Sequence, residues 1–386
     1  MKGGFAGTRS KRVLTGRHFM LGNHAVVEGA LAAGCDFFAG YPITPANEIS
    51  ERMAARMPEV GGKFLQGEDE LCSIYAVTGA ALAGARAMTA TASAGYNYMQ
   101  EGIEFAVAAE IPCVIVDVQR CRGENFATQA DIMQARWGAA GDHEMIVLAP
   151  SSVQEMFDYT VRAFNLAERF RTPVLILSEA TIALTREPLV IPAEDRIERV
   201  SRPRPNGPPE SFVPFRGDER GIPPMANLGE GYHVLYSINP HDERGGIQWS
   251  SDVFENLYER ITGKIQHYVD EISIAEGFHL SDADTVVIAY GSETRPAWDA
   301  VTTARGRGIR AGLLKLGSVW PVPEKEILQV ARQARRVLVV EMNLGKYAGE
   351  VERLCGGICE VLRVTKNRGQ IHTAAEILQA VLEAAR

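Results

Sequence analysis

Gly40-Tyr41-Pro42-Ile43-Thr44-Pro45 is the stretch around which the rest of the chain falls into place. The short apolar run 36–39 leads into it, and an amphipathic stretch beginning Ala46-Asn47-Glu48-Ile49 follows. Tyr41 and Thr44 each precede a proline and are pushed towards extended geometry. Pro45 suits the first turn of a helix with Thr44 as its N-cap, so the spacing predicts a rigid strand-to-helix corner. The Thr44 hydroxyl would then lie beside unpaired helix amides at the carboxyl end of a strand, where anionic ligands bind in open α/β sheets. The same residues also make a well-capped turn that binds nothing.

Outward from this corner, strand and helix alternate. On the amino side Val26, Val27, Ala30 and Leu31 follow helical spacing, and Gly34 ends the run. On the carboxyl side come a helix to about Met57, a strand at 63–66, a helix of small residues at 70–82 and a strand at 86–91. Ser93-Ala94-Gly95-Tyr96 then leads into a helix at 98–108. The Val- and Ile-rich run 112–118 reads as a buried parallel strand. A helix at 153–169 and a strand at 174–177 close a doubly wound α/β unit. Residues 187–227 hold many of the 19 prolines and little periodicity, the mark of a linker or irregular wrap. A helix at 252–268 leads to a second α/β unit with strands at 285–290, 310–316 and 337–341. The organisation is an arm at 1–19, a domain at 20–186, a Pro-rich connector at 187–250 and a domain at 251–386.

Bulk numbers agree with two domains. The chain has 386 residues, long for one core, of which 46% are hydrophobic and 23% charged. A formal net charge of −8 with no basic block argues against nucleic acid as partner. Lys2, Arg9, Lys11, Arg12 and Arg17 precede no long apolar run, so the first residues read as a flexible or partner-contacting arm, not a signal peptide. No stretch reaches the roughly 20 apolar residues of a membrane span. Six cysteines make neither a disulfide framework nor a metal site. Cys35, Cys72 and Cys113 read as buried thiols, and the expected setting is a reducing cytoplasm.

Two residues stand where chemistry is expected. Glu70 follows a strand at the start of an apolar helix, where an acid also simply favours the helix N-terminus. Arg120 ends the 112–118 strand, and its planar fork suits a carboxylate; an ion pair with Asp117 or Glu124 would use it equally well. Ser93, Gly95 and Tyr96 form either a ligand-facing turn or an ordinary glycine turn. Beyond Arg120, Arg122 offers a second cation and Phe126 an apolar wall; either side chain would serve equally as surface decoration. Gly306-Arg307-Gly308 lies between helix and strand, the reverse of a dinucleotide loop, and Gly229-Glu230-Gly231 follows no buried strand.

Tyr41-Pro42-Ile43-Thr44-Pro45, Glu68-Asp69-Glu70, Val116-Asp117-Val118-Gln119-Arg120 and Asp242-Glu243-Arg244-Gly245, in this order and spacing, resemble one family. It is the α subunit of the thiamine diphosphate-dependent 2-oxoacid:ferredoxin oxidoreductases, of the 2-oxoglutarate or branched-chain type. The likeness runs from Gly22 to the end, and 40–66 leans towards the branched-chain type. It implies a pyrimidine-binding fold followed by a transketolase C-terminal-like domain, to which Trp320-Pro321-Val322-Pro323 is similar. It implies Glu70 on N1′ of the thiamine aminopyrimidine as the acid–base group, with Ser93, Gly95 and Tyr96 beside that ring. Counting from the acidic run to Gly79 selects Glu70 over Glu68. Arg120 and Thr44 would hold the substrate carboxylate, with Tyr41, Ile43 and Arg122 around the substrate. The loop 121–129 departs from the longer Gly- and Pro-rich loop of the family. Coenzyme A would accept the acyl group. The diphosphate site, Mg2+ and a [4Fe-4S] cluster would belong to a β subunit, with γ and ferredoxin-like δ subunits as further partners. A different split-site thiamine enzyme, of the dehydrogenase or transketolase-like kind, and a non-catalytic assembly subunit are the competing readings.

Overall fold

The computed structural model describes residues 13–121, 126–367 and 369–386. In chain order its first strands are β1 (Gly16–Leu21), β2 (Phe37–Gly40), β3 (Lys63–Gln66), β4 (Ala87–Thr91), β5 (Cys113–Gln119), β6 (Ile146–Leu148), β7 (Pro173–Glu179) and β8 (Arg186–Ile191). There follow β9 (Ala275–Phe278), β10 (Thr285–Tyr290), β11 (Ala311–Leu316), β12 (Ser318–Trp320), β13 (Arg336–Glu341) and β14 (Glu360–Thr365). The main sheet runs β12-β6-β7-β5-β4-β2-β3 and is parallel except at β12. β5 and β7 are buried along their whole length, as strands covered on both faces must be. Helices 70–82 and 100–108 cover one face with Ile74, Val77 and Ile103, and helices 22–32, 47–60 and 153–170 cover the other with Val26, Ile49, Met53 and Phe157.

The strand order contains one switch. From β2 the chain goes to β3 on one side, then crosses back to β4 on the other. Helices therefore leave the two neighbouring strand ends in opposite directions, and a crevice opens at the carboxyl ends of β2 and β4. A second sheet, β14-β13-β10-β11-β9, is parallel apart from β9. One apolar cluster spans both units, joining Ile115 and Val147 to Val286 and Val337.

Four local expectations are corrected. The helix after the corner begins at Asn47, not Pro45, and Ala46 rather than Thr44 stands at its N-cap. The reason lies in competing bonds: buried Asn23 donates to the Pro45 carbonyl at 2.7 Å, and the Ala46 amide donates to the Ile43 carbonyl at 2.8 Å. A turn therefore precedes the helix. The arm expected over 1–19 contains β1, which pairs antiparallel with β8; residues 1–12 lie outside the described ones. The helix expected at 98–108 starts earlier, as Ser93–Tyr98 followed by Gln100–Ala108. Cys72 is half-buried, whereas Cys35 and Cys113 are buried as expected.

The connector is an irregular wrap pinned by arginines. Arg202 pairs with buried Glu168 at 2.7 Å and donates to the Ala81 carbonyl at 2.7 Å. Fully buried Arg171 reaches back to the carbonyls of Pro223 and Pro224 at 3.2 and 2.9 Å. The Gly229–Glu230 turn is closed by Glu230 on Asn227, as expected of a polar turn. His241 lies in a turn ordered by Asp242, its ring 4.3 Å from that of Phe215. The helix Ser251–Gln266 buries Ile265 in the core of the first unit before the chain crosses to the second.

Candidate functional site

Four neighbouring strands, in the order β5-β4-β2-β3, deliver the expected site residues to one edge. β2 ends at the Tyr41–Pro45 corner, β3 before Glu68–Glu70, β4 before Ser93–Gly95 and β5 before Arg120. The residues are far apart in sequence but share the carboxyl edge because every one of these strands is parallel.

Glu70 is the first residue of the helix Glu70–Leu82, which Asp69 caps by accepting the Cys72 amide at 2.6 Å. That division of labour separates the three acids. Glu68 is exposed, Asp69 is spent on the cap, and Glu70 is 7% exposed. No side-chain donor among the described residues bonds the Glu70 carboxyl. Burial pushes its pKa up, and the neighbouring Asp69 charge adds to this against the pull of its own amide. The carboxyl lies against Gly95, where a Cβ would overlap both it and the Thr91 hydroxyl. Gly95 is thus glycine because Glu70 occupies its side-chain space, and the two residues meet across the β2/β4 crevice.

The other expected residues divide into groups. Ser93 is fully engaged: its hydroxyl donates to Asp131 and accepts the Arg120 amide at 3.0 Å. Tyr96 is 1% exposed in the core, with burial and Asp117 raising its phenol. Arg120 is half-buried at the strand end, bridged to Ala127 across the loop. The Thr44 hydroxyl accepts from Asn47 Nδ2 at 3.1 Å. Tyr41 is 39% exposed and Ile43 packs on the core behind the corner. Arg122 lies outside the described residues. Phe126 is 52% exposed and packs against Gly369.

A cleft of about 640 Å³ opens beside Arg120, lined by Ser93, Arg120, Asp131 and Gln134 from the first unit and Asn343 and Lys346 from the second. Its base holds groups that the sequence reading did not single out. Gln129 donates to Glu179 at 3.0 Å and to the Tyr290 carbonyl at 2.9 Å, and its Oε1 accepts the Met342 amide at 2.9 Å. This one side chain ties the end of the 121–129 loop to β7, to β10 and to Met342 just after β13. Asp117, fully buried, and Asp131, half-buried, are a pair of acids beneath Ser93. An acid inside the otherwise apolar run 113–118 was the available signal for Asp117; nothing in sequence spacing links it to Asp131.

The family described as pyruvate flavodoxin/ferredoxin oxidoreductase, thiamine diphosphate-binding, matches residues 28–246, and core domain II of pyruvate:ferredoxin oxidoreductase matches 283–377. The 2-oxoglutarate synthase subunit KorA of Methanothermobacter marburgensis is 46% identical over 96% of this chain and 99% of its own length. The ketoisovalerate oxidoreductase subunit VorB of Methanothermobacter thermautotrophicus is 37% identical over 94% of this chain and 97% of its own. Among solved structures, the 2-oxoglutarate:ferredoxin oxidoreductase of Magnetococcus marinus, with 2-oxoglutarate, coenzyme A and succinyl-CoA bound, superposes with a TM-score of 0.92 at 28% identity. That match covers 96% of this chain and 66% of the other, longer one. A split-gene transketolase, 14% identical with a TM-score of 0.53, shares the fold.

Proposed function

This chain belongs to the thiamine diphosphate-binding pyruvate flavodoxin/ferredoxin oxidoreductase family, and from that premise we propose that it is the catalytic α subunit of a 2-oxoglutarate:ferredoxin oxidoreductase. The reaction is 2-oxoacid + CoA → acyl-CoA + CO2 + H+ + two electrons, the electrons leaving through iron–sulfur clusters to ferredoxin or another acceptor. Four relatives named as 2-oxoglutarate synthase subunits, 39–46% identical, support 2-oxoglutarate over the branched-chain acids towards which 40–66 leans.

The observation that carries the reading is Glu70: a buried carboxyl, raised in pKa, set against Gly95 at the strand switch. Such a group fits the aminopyrimidine of thiamine diphosphate, because a ring nitrogen needs a partner able to give and take a proton. When bound, the cofactor supplies the electron sink for cleaving the bond between the carbonyl and carboxylate carbons. Glu70 would hold the proton at N1′, with Ser93 and Gly95 beside the ring and Tyr96 packed in the core behind them. Arg120 and the Thr44 hydroxyl, from the ends of β5 and β2 with β4 between them, would hold the substrate carboxylate and orient the adjacent ketone. Tyr41 and Ile43 would border the rest of the substrate, and Arg122, outside the described residues, is assigned to the same region from the sequence. The diphosphate, Mg2+ and a [4Fe-4S] cluster are assigned to a β subunit, with γ and ferredoxin-like δ subunits completing the complex. Its place is the cytoplasm; among the described residues no helix is long and apolar enough to cross a membrane.

The test is to purify the chain with its partners and measure CoA-dependent acceptor reduction on 2-oxoglutarate, pyruvate, 3-methyl-2-oxobutanoate and an aryl glyoxylate. The highest kcat/KM is expected for 2-oxoglutarate. A higher value for any other acid would reassign the substrate, and no turnover on all four would remove the catalytic role.

A further inference from the structure

Asp117 has no part in the chemistry above, yet it is fully buried in β5 beside the site. Neither of its carboxyl oxygens receives a hydrogen bond from a donor among the described residues. It faces the carboxyl of Asp131, on the short turn Ala130–Ile132. Burial pushes both groups up, Asp117 well above the usual carboxylate range, and the Asp131 charge adds to that rise. Two carboxylates in contact, one of them fully buried as Asp117 is, do not both ionise. Asp131 is better placed to carry the charge, since the Ser93 hydroxyl donates to it and Lys346 attracts it. Asp117 then keeps a proton and gives it to Asp131 in a hydrogen bond. Among the described residues, Tyr96 and Lys346, from the helices Ser93–Tyr98 and Lys346–Cys355, also face the pair.

The chain of bonds continues to the substrate edge. Ser93, its proton given to Asp131, accepts the Arg120 amide at 3.0 Å, and the Asp131 amide donates to Gln119 Oε1 at 3.0 Å. The backbone at Arg120 and the side chain preceding it are both tied to this turn. We propose that Asp117 and Asp131 share one proton and act as positioning residues, holding Ser93 and through it the main chain of Arg120 where the substrate carboxylate binds. The proposal rests on the substrate role of Arg120 given above.

The assembled complex provides the test. An infrared difference spectrum at pH 7, wild type minus Asp117→Asn, is expected to show a protonated carboxylic acid carbonyl; its absence overturns the shared proton. Asp117→Ala removes the donor to Asp131. It should raise KM for the 2-oxoacid about tenfold, the scale of one hydrogen bond, with kcat and thiamine diphosphate affinity within about twofold of wild type. Asp117→Asn keeps a donor and should restore KM to within about threefold. Equal losses in both variants, or an unmoved KM in Asp117→Ala, overturn the positioning role. Should Asp117→Ala not fold, the half-buried Asp131→Ala breaks the same chain and must give the same KM rise. Arg120→Lys, run alongside, separates the two ideas: an unmoved KM there removes the substrate role of Arg120, while the infrared band still decides the shared proton.

Discussion

The main sheet buries acids at both of its edges and treats them in opposite ways. At the amino ends of β5 and β7, Glu110 is fully buried and meets Arg260 and Lys264 at 2.8 and 2.7 Å, with Arg171 bonding its carbonyl at 3.2 Å. Burial alone would raise its pKa, but Arg260, Lys264 and Arg171 together outweigh that and hold it far below the usual range. At the carboxyl ends, Glu70 and Asp117 are buried with no cation bonded to them among the described residues, and burial drives both upward. Burying an acid therefore does not by itself set its protonation state; the counter-charges delivered by neighbouring elements do. One edge spends its cations on fixing a helix, the connector and two strand starts together. The other withholds them and keeps carboxyls that hold their protons more tightly than ordinary acids, the direction that acid–base chemistry needs.

The largest effect should come from the amino edge. Glu110→Gln leaves buried Lys264 and Arg171 without their anion, a change on the order of 3–5 kcal/mol in unfolding free energy. Thermal denaturation of the purified complex would show it, while kcat/KM per folded enzyme stays at the wild-type value. Lost turnover without lost stability would break the division between the edges.

Next in size is Glu70→Gln, which keeps the shape but cannot exchange a proton. Turnover should fall about a hundredfold or more, roughly 2.7 kcal/mol in the barrier, with no loss of thermal stability. Glu68→Gln, at an exposed position, should change neither. If the two variants behaved alike, Glu70 would lose its assignment.

How much of this was legible follows from how local each signal is. The alternation of strands and helices, and the placing of Thr44, Glu70, Gly95 and Arg120 just after successive strands, came from local residue patterns and survive in the fold. The choice of Glu70 over Glu68 came from the resemblance; the structure places Glu70 against Gly95 behind the Asp69 cap and Glu68 in solvent, and the paired variants above test the choice. What failed to show depends on partners distant in the chain. The Thr44 cap yields to Asn23, which takes the Pro45 carbonyl. β12 leaves its own unit to pair with β6, an edge pairing that three residues of sequence do not announce. Gln129 reads as one more polar loop residue until β7, β10 and Met342 surround it.

The smallest effect expected is a slope with pH, and it comes from Glu179 at the end of β7. This fully buried carboxyl joins the two units: Oε1 accepts the Ser292 amide at 2.8 Å and Gln129 Nε2 at 3.0 Å, and Oε2 bonds the Ser292 hydroxyl at 2.6 Å. Gly291 leaves the room, since a Cβ there would overlap Oε1. Burial pushes Glu179 up to about 7 from an ordinary value of 4.5, against the pull of the Ser292 bonds. Because the folded value lies above the unfolded one, the fold favours the protonated form. Its contribution is complete below about pH 4.5 and is lost as pH rises through about 7. Glu110 works in the reverse sense, contributing above its unfolded value and losing its effect as pH falls below it, so the two windows do not overlap. Glu70, Asp117 and Asp131 slope in the same direction as Glu179, which makes the difference between wild type and Glu179→Gln the quantity to measure. Unfolding midpoints of the complex at pH 5 and pH 8 should show wild type losing ground to the variant at the higher pH. A constant gap would mean that Glu179 stays ionised throughout, with the Ser292 and Gln129 donors outweighing burial as the cations outweigh it at Glu110.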